Sequence, residues 1–550
     1  MFGLLLFLLI LATTAPAQSL SIPANWQPGV ALPVFPKFEE VVNYFYLQYN
    51  GSAMPEFRLE KHPEGYRITR LFDNGLPMFP PEIIWSPEGG FRRVENFNKP
   101  EPLEPGPPRV TQAFDISRWA EEAEWYLRKN DYVRRECDRL PYYGYPGYYH
   151  DVIQLWEPMY ESLSNDQLHG LARAWSAAAA GLLHNNSGMA DSTRMFRLEA
   201  TPNALSPEQL AQYKASHQKV VDAYSLLLRR DPAFQTPVGS VAVKYANEVV
   251  DGFLTLSYFQ NEKEARSLLK PDIYGPHILQ AARNTLLSCP KNAVLISQGD
   301  NDTYPLLYLQ AMDKLRTDVI VANVALLQTK PYYQHILRGP LGAKPLEGLP
   351  LDLFWAPEPG MNYGLDENRP LCYSLTCPPP TYQTWQHLAL EGLVYRYNSQ
   401  KQELSASLSF AVAEDRGLKL WLNTFRFTAP DAPLPPEMRP FSYTHLIAGR
   451  DLLEALRGEG RCKEALSLAA LLDQHFTNTM TPRDSDWLKV VEALAACGNV
   501  VDAGRIGLEI WDNFVKEKVD AHQLTGREKT KWNLMRIGEQ YQIETLKALK

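Results

Sequence analysis

The stretch Gln298-Gly299-Asp300-Asn301-Asp302-Thr303-Tyr304-Pro305 decides how this chain is read. An apolar run, Ala293 to Ile296, precedes it, and a helical pattern (Leu306, Leu309, Met312, Leu315) follows. A second β-rich run, Val319 to Leu327, comes next. The periodicities predict strand, polar turn, helix, strand, with Pro305 in the first helical turn. The span from Gln298 to Asp318 exceeds the roughly dozen residues that a parallel crossover needs. In such a βαβ unit, ligands gather at the carboxyl end of the strand, against the helix N-terminus. Asp300 and Asp302 occupy that place.

Two readings of these acids compete. Asp, Asn and Thr cap helices, and negative charge there complements the helix dipole by roughly 0.3–1 kcal/mol. Alternatively Asp300, Asn301, Asp302 and Thr303, with Asn323 in the second run, bind a ligand. Asp300 and Asp302 would then be hard-oxygen ligands for Mg²⁺, Mn²⁺ or Ca²⁺, since no Cys or His accompanies them. A divalent cation is the one cofactor this pattern suggests, and no catalytic residue is identified.

The first residues bear on compartment. Phe2 to Ala12 is an almost unbroken apolar run that ends in Ala15-Pro16-Ala17 before Gln18. This is the pattern of a signal peptide over residues 1–17, too short to span a bilayer. It predicts a periplasmic or secreted product. A net charge of −8 argues against a nucleic-acid or anionic-membrane partner. The best later apolar segment, Trp175 to Leu183, is too short for a membrane helix. Six cysteines are too sparse for a disulfide scaffold, although Cys372 and Cys377 are close enough to close a small loop.

The predicted fold is α/β plus α-helical repeats. Residues 18–110 read as β-rich: Tyr66 to Leu71 alternates as a strand, and Ile83-Ile84-Trp85 with Gly89-Gly90-Phe91 suggests a hairpin. Pro100, Pro102, Pro105, Pro107 and Pro108 suggest a stiff linker. Residues 111–290 read as helical. Trp119 to Arg128 is rich in helix formers, and Ser206-Pro207-Glu208-Gln209 is a capping box. Val241 to Leu269 continues the helical pattern. Tyr142 to Tyr149 is an aromatic segment suited either to a packed loop or to stacking on a glycan. Residues 291–430 form the α/β domain.

Residues 431–550 contain a countable repeat. Glu454, Ala455, Leu456, Gly460, Ala465 and Phe476 recur as Glu492, Ala493, Leu494, Gly498, Ala503 and Phe514, at a constant offset of 38. Small residues let paired helices approach, and the glycine marks the turn between them. This is the logic of tetratricopeptide-like helix pairs, whose concave surfaces bind protein partners.

Several of these motifs together resemble a known family. Gly299 to Leu306, Tyr308-Leu309-Gln310, Arg316-Thr317-Asp318-Val319, Asn368-Arg369-Pro370 and Glu391-Gly392-Leu393-Val394-Tyr395-Arg396 look like the soluble C-terminal region of bacterial, Bacteroidetes-type multi-pass membrane proteins. Those proteins are similar to protein O-mannosyltransferases. The resemblance covers roughly residues 290–515. It implies a shared exported module, because the family's membrane-embedded, glycosyl-transferring half has no counterpart in this sequence. At Gln328 and Lys330 the family tends to have Asn and Asp.

His-Glu-x-x-His, Gly-x-Ser-x-Gly, a phosphate loop and Gly-x-Gly-x-x-Gly are all missing from the sequence. The favoured expectation is an exported binding or scaffold protein of the cell envelope, linked to glycan or glycoprotein handling. The alternative is a metal-dependent glycosyl-group transferase or hydrolase using Asp300 and Asp302. An enzymatic role is the less favoured of the two.

Overall fold

A computed structural model describes residues 56–62, 65–71, 83–86, 88–96, 99–102, 152–153, 156–184, 205–236, 238–346, 369–377, 388–397, 416–427, 439–477 and 483–520. The signal segment, the Trp119–Arg128 run, Tyr142 to Tyr149 and the prolines after Pro102 lie outside these residues. Helix predominates, with small sheets. The chain divides into two compact units: Met1–Pro237 with Phe259–Asn261 and Thr329–Pro331, and Val238–Tyr258 with Glu262–Gln328 and Tyr332–Lys550.

In the first unit, β1 (Glu56–His62), β2 (Gly65–Leu71), β3 (Ile83–Ser86), β4 (Gly90–Asn96) and β5 (Lys99–Pro102) pair in sequence order as an antiparallel sheet. The expected strand at Tyr66 and the hairpin at Gly90 are present. Pro100 and Pro102, read as linker, instead pair with Val94 and Arg92 in the last strand. An edge strand tolerates proline because the missing N–H groups have no outer neighbour to serve.

Helices α1 (Asn165–His184) and α2 (Pro207–Arg230) belong to the same unit and pack together. Leu168, Leu171, Val220, Tyr224 and Leu227 are fully buried. The capping box opens α2 as expected: Gln209 N–H donates to Ser206 Oγ (3.2 Å), and Ser206 N–H donates to Gln209 Oε1 (3.0 Å).

The second unit begins with α3 (Val241–Tyr258), α4 (Glu262–Leu268) and α5 (Pro276–Ser288). The single helix expected over Val241 to Leu269 is broken. Gln260 takes a left-handed φ of 63°, and a non-glycine residue there ends a helix. After α5 the predicted unit appears as β6 (Val294–Ser297), α6 (Asp300–Asp313) and β7 (Ile320–Asn323), with β6 and β7 parallel. The second strand stops well before Leu327. Asn323 Oδ1 accepts from the N–H groups of Ala325 (2.9 Å) and Leu326 (3.3 Å), a local turn that competes with the ladder.

After α7 (Lys330–Leu337), β8 (Leu371–Ser374) runs parallel to β6 on its other side. A hairpin, β9 (Leu388–Glu391) and β10 (Val394–Tyr397), completes a mixed sheet in the order β9-β10-β8-β6-β7. All four residues of β6, β7 and β8 are buried, the signature of strands covered on both faces. The short α8 (Arg416–Lys419) follows, and then four helices: α9 (Arg439–Gly458), α10 (Cys462–His475), α11 (Leu488–Ala496) and α12 (Val500–Asp520).

The offset of 38 reappears in the backbone of these helices. Gly460 and Gly498 take φ of 72° and 88°, the left-handed region that only glycine enters freely. Arg461 N–H bonds Leu456 O at 2.9 Å, and Asn499 N–H bonds Leu494 O at 2.8 Å. Ala465 and Ala503 are both buried. A disulfide between Cys462 and Cys497 joins the two turns. Their core continues into Leu393, Leu418, Leu420 and Trp421. Among the described residues, no helix is long and apolar enough to cross a membrane.

Candidate functional site

The first turn of α6 carries four of the five residues singled out in the sequence. Gly299, at φ 76°, turns the chain out of β6, and the helix begins at Asp300. Pro305 therefore lies inside the helix, not in its first turn as expected. Thr303 N–H closes the first helical bond onto Gly299 O (3.2 Å). Proline at position 305 forgoes a backbone bond to Asn301, a loss tolerated so close to the helix end.

Asp302 turns inward. One oxygen, Oδ2, accepts from the Gln298 N–H (3.0 Å) and from Ser374 Oγ (2.7 Å). Burial raises its carboxyl above the usual range, opposed by these bonds and by Thr376. Thr303 Oγ1 lies 2.8 Å from Ser297 Oγ and accepts from Asn323 Nδ2 at 2.9 Å. Asn323 N–H donates to Tyr332 Oη (2.9 Å). Asp302, Thr303 and Asn323 thus form a buried hydrogen-bonded lock across the carboxyl ends of β6, β7 and β8. Satisfied networks of this kind rigidify and specify a unique packing.

Asn301 and Asp300 face α3 instead. Asn301 Nδ2 donates to Val238 O (2.6 Å), and its Oδ1 accepts from Asn247 Nδ2 (2.8 Å). Asn247 in turn accepts from Tyr274 Oη (2.8 Å). Asp300 makes no side-chain hydrogen bond among the described residues. Its electrostatic neighbours are Lys244 and Glu248, which pair with each other one helical turn apart. Asp251, one turn further along α3, accepts from Tyr304 Oη at 2.8 Å.

This places three carboxylates, one ammonium and a phenol between α3 and α6. Burial, then the negative charges of Glu248 and Asp300, push the Asp251 carboxyl up to about 7, against the Tyr304 hydrogen bond and Lys244. Burial likewise raises Asp300, with Lys244 opposing and Glu248 adding. Burial and the charges of Asp251 and Asp300 push the Tyr304 phenol well up, so it stays a donor. A carboxyl that titrates near neutrality beside a fixed donor is suited to holding or releasing a proton.

The sequence reading missed Lys244, Asn247, Glu248 and Asp251. A signal was present: they recur at three- and four-residue spacing, forming one polar stripe on a helix otherwise filled by Val241, Val243, Val249, Val250, Phe253 and Leu254. Asp300 and Asp302, paired in the sequence reading, are drawn to different partners. Among the described residues, no group of three or more His, Cys, Asp or Glu is placed to hold a metal ion.

The family-like motifs downstream act as struts. Arg316 donates to the carbonyls of Leu286 (2.9 Å), Cys289 (2.7 Å) and Pro290 (2.7 Å) while paired with Asp318 (2.8 Å). Asp318 also accepts from the Asn292 N–H (2.8 Å). Arg369 donates to Asn292 O (3.2 Å) and Lys344 O ahead of β8. Glu391 pairs with Arg396 and Arg416. Cys372 and Cys377, close enough in sequence to close a small loop, are both free and buried, as is Cys289.

Residues 278–350 match the family described as TMEM260-associated domain 2. The match spans β6, α6 and β7 with their flanking helices, and it fits a relationship to O-mannosyltransferase-like proteins of the TMEM260 type. No curated protein and no solved structure matches the chain.

Proposed function

We propose that this chain is an exported binding or scaffold component of the cell envelope. It works beside O-mannosyltransferase-like proteins and handles glycans or glycoproteins without transferring the sugar itself. The observation that carries this reading is the state of the Gly299–Thr303 turn inside the matched segment. Asn301, Asp302 and Thr303 are engaged in internal hydrogen bonds, as is Asn323, so the turn holds the module together. Export is supported by the apolar run Phe2 to Ala12 and by the Cys462–Cys497 bond, a linkage suited to an oxidising compartment.

The paired helices after Arg439 are read as tetratricopeptide-like repeats that present a surface to a protein partner. Replacing Ala465 or Ala503 with Leu would overpack their contacts and cost about 1–3 kcal/mol in urea unfolding. Unchanged stability in both variants would count against the repeat.

The main test is a calorimetric titration of the full chain with an O-mannosylated peptide and its unmodified twin. Tighter binding of the mannosylated form is expected. If neither binds, and the chain turns over a polyprenyl-phosphate mannose donor, the transferase reading replaces this one. Asp251 is then its first candidate acid, since its carboxyl is pushed up to about 7 and it accepts from Tyr304 Oη.

A further inference from the structure

Helix α12 buries one face and leaves a second apolar face uncovered. Ala503, Ile506 and Ile510 pack into the core of the paired helices. At about 100° per residue, Val500, Val501, Gly504, Gly507 and Leu508 fall together in a second arc, roughly 120° wide. Val501 is 79% exposed, Val500 66% and Leu508 38%. A Cβ placed on Gly507 would meet open space. A surface helix turns polar residues to water, so a contiguous apolar arc in the open marks a docking face.

The offset of 38 shows that this face is peculiar to α12. Val500 and Gly507 correspond to Cys462 and Ala469 of α10. There Cys462 is bonded to Cys497, the residue that ends α11, and Ala469 is buried. Val501 and Leu508 correspond to Lys463 and Ala470, which α10 turns to solvent. Half of the arc is thus covered in α10 and open in α12, and the other half has become more apolar. Residues 521–550 continue the chain from α12. Residues 521–531 match in length the connection 476–487 between α10 and α11. From Trp532 onward there is no proline, and Leu534, Ile537, Tyr541, Ala548 and Leu549 share one helical face, with Arg536, Gln540, Glu544 and Lys547 opposite. At 1.5 Å per residue, 532–550 would extend roughly 28 Å as a helix, close to the roughly 31 Å of α12.

We propose that residues 532–550 form an amphipathic helix that lies antiparallel along the Val501–Leu508 face of α12 and closes the array of paired helices. Leu534, Ile537 and Tyr541 then cover Val501 and Leu508, while the polar side faces water. The short connection dictates the antiparallel course, as it does between neighbouring helices of a bundle. Tethering favours this occupant over a second copy, because the segment is held near the face at a high effective concentration. Helical arrays need such a cap at a terminal unit, whose outer face has no following unit to bury it. The inference rests on the paired-helix reading of residues 439–520, which the Ala465 and Ala503 variants test separately.

The test is hydrogen–deuterium exchange of the full chain, read peptide by peptide. Slow exchange across 534–549 is expected in the wild type, and Leu508→Lys should abolish it while α9 to α11 stay protected. Leu508 stands clear of the buried face of α12, so that substitution leaves Ala503, Ile506 and Ile510 in place. Tyr541→Lys, made outside the paired helices, should abolish the same protection and speed exchange in α12. Fast exchange across 534–549 in the wild type would overturn the proposal. So would slow exchange that Leu508→Lys leaves unchanged, or an α12 indifferent to Tyr541→Lys. Protection that vanishes on dilution, as the sedimenting mass halves, would give the face to a second copy and overturn it too. If Leu508→Lys unfolds α9 to α11, the response of α12 to Tyr541→Lys decides the matter.

Discussion

Asp302 and Asp300 stand two residues apart in one helical turn and live in opposite environments. Asp302 faces the sheet, where a backbone N–H and a serine hydroxyl donate to the same oxygen. Asp300 faces α3, where Glu248 and Asp251 add negative charge and Lys244 supplies the nearby cation. Burial raises both carboxyls, but for different ends. Around Asp302 each polar group has found a partner, which is how a polar interior stabilises. Around Asp300 and Asp251 the charges do not balance. Such imbalance costs stability, and functional sites often retain it. A motif read as one acidic unit is thus two half-sites divided by a helix.

The largest effect should separate the two acids by mutation. Asp302→Ala leaves the Gln298 N–H and the Ser374 hydroxyl without their carboxylate, at about 1–3 kcal/mol for each orphaned donor. A total loss of roughly 2–6 kcal/mol in urea unfolding is expected. Asp300→Ala removes no hydrogen bond and gives up the attraction of Lys244 while relieving burial of the charge and the repulsion of Glu248, so a change within about 0.5 kcal/mol is expected. If Asp300→Ala proved the more damaging, the division into lock and cluster would be wrong.

The pH dependence of stability sharpens the comparison from the other side. Asp251 titrates near 7 in the folded chain, well above the roughly 3.9 of an unfolded aspartate. Between those values the folded state holds more protons, so stability falls as pH rises through that window. Allowing for solvent access at the cluster, the loss from pH 5 to pH 8 should be about 1–2 kcal/mol, read as a falling urea midpoint. Asp251→Asn should flatten that slope. Asp318 works in the opposite sense: hydrogen bonds from Arg316 and the Asn292 N–H outweigh burial and hold it below its usual value. Its contribution is lost only as pH falls below the ordinary carboxylate range. A midpoint that rises from pH 5 to pH 8 in the wild type and is unmoved by Asp251→Asn would contradict the cluster.

The two halves were not equally legible in the sequence. Strand, turn, helix and strand at Val294 to Asn323 followed from periodicity, because buried parallel strands and a covering helix leave separate apolar signatures. The C-terminal turns followed from spacing, because Gly460 and Gly498 meet the same left-handed requirement. The partners of Asp302 could not be read. Ser374 comes from β8, across a connection whose length says nothing about where the strand will lie. Asp251 was hidden differently: its helix was legible, but the face it presents to α6 is fixed only by tertiary packing.

The smallest expected effect is a null one. Asp300 and Asp302, at the first and third positions of α6, point about 200° apart around the helix axis at roughly 100° per residue. Ca²⁺ and Mg²⁺ demand about six or more converging oxygens, and a carboxylate already accepting two hydrogen bonds must surrender them to bind. Lys244 beside Asp300 further repels a cation. Calorimetric titration with Mg²⁺, Mn²⁺ and Ca²⁺ is therefore expected to show no saturable heat. Saturable binding abolished by Asp300→Asn and by Asp302→Asn alike would restore a shared metal centre at the turn. Binding abolished by Asp300→Asn and Asp251→Asn, but kept by Asp302→Asn, would move the centre to the α3–α6 cluster and leave the lock as described.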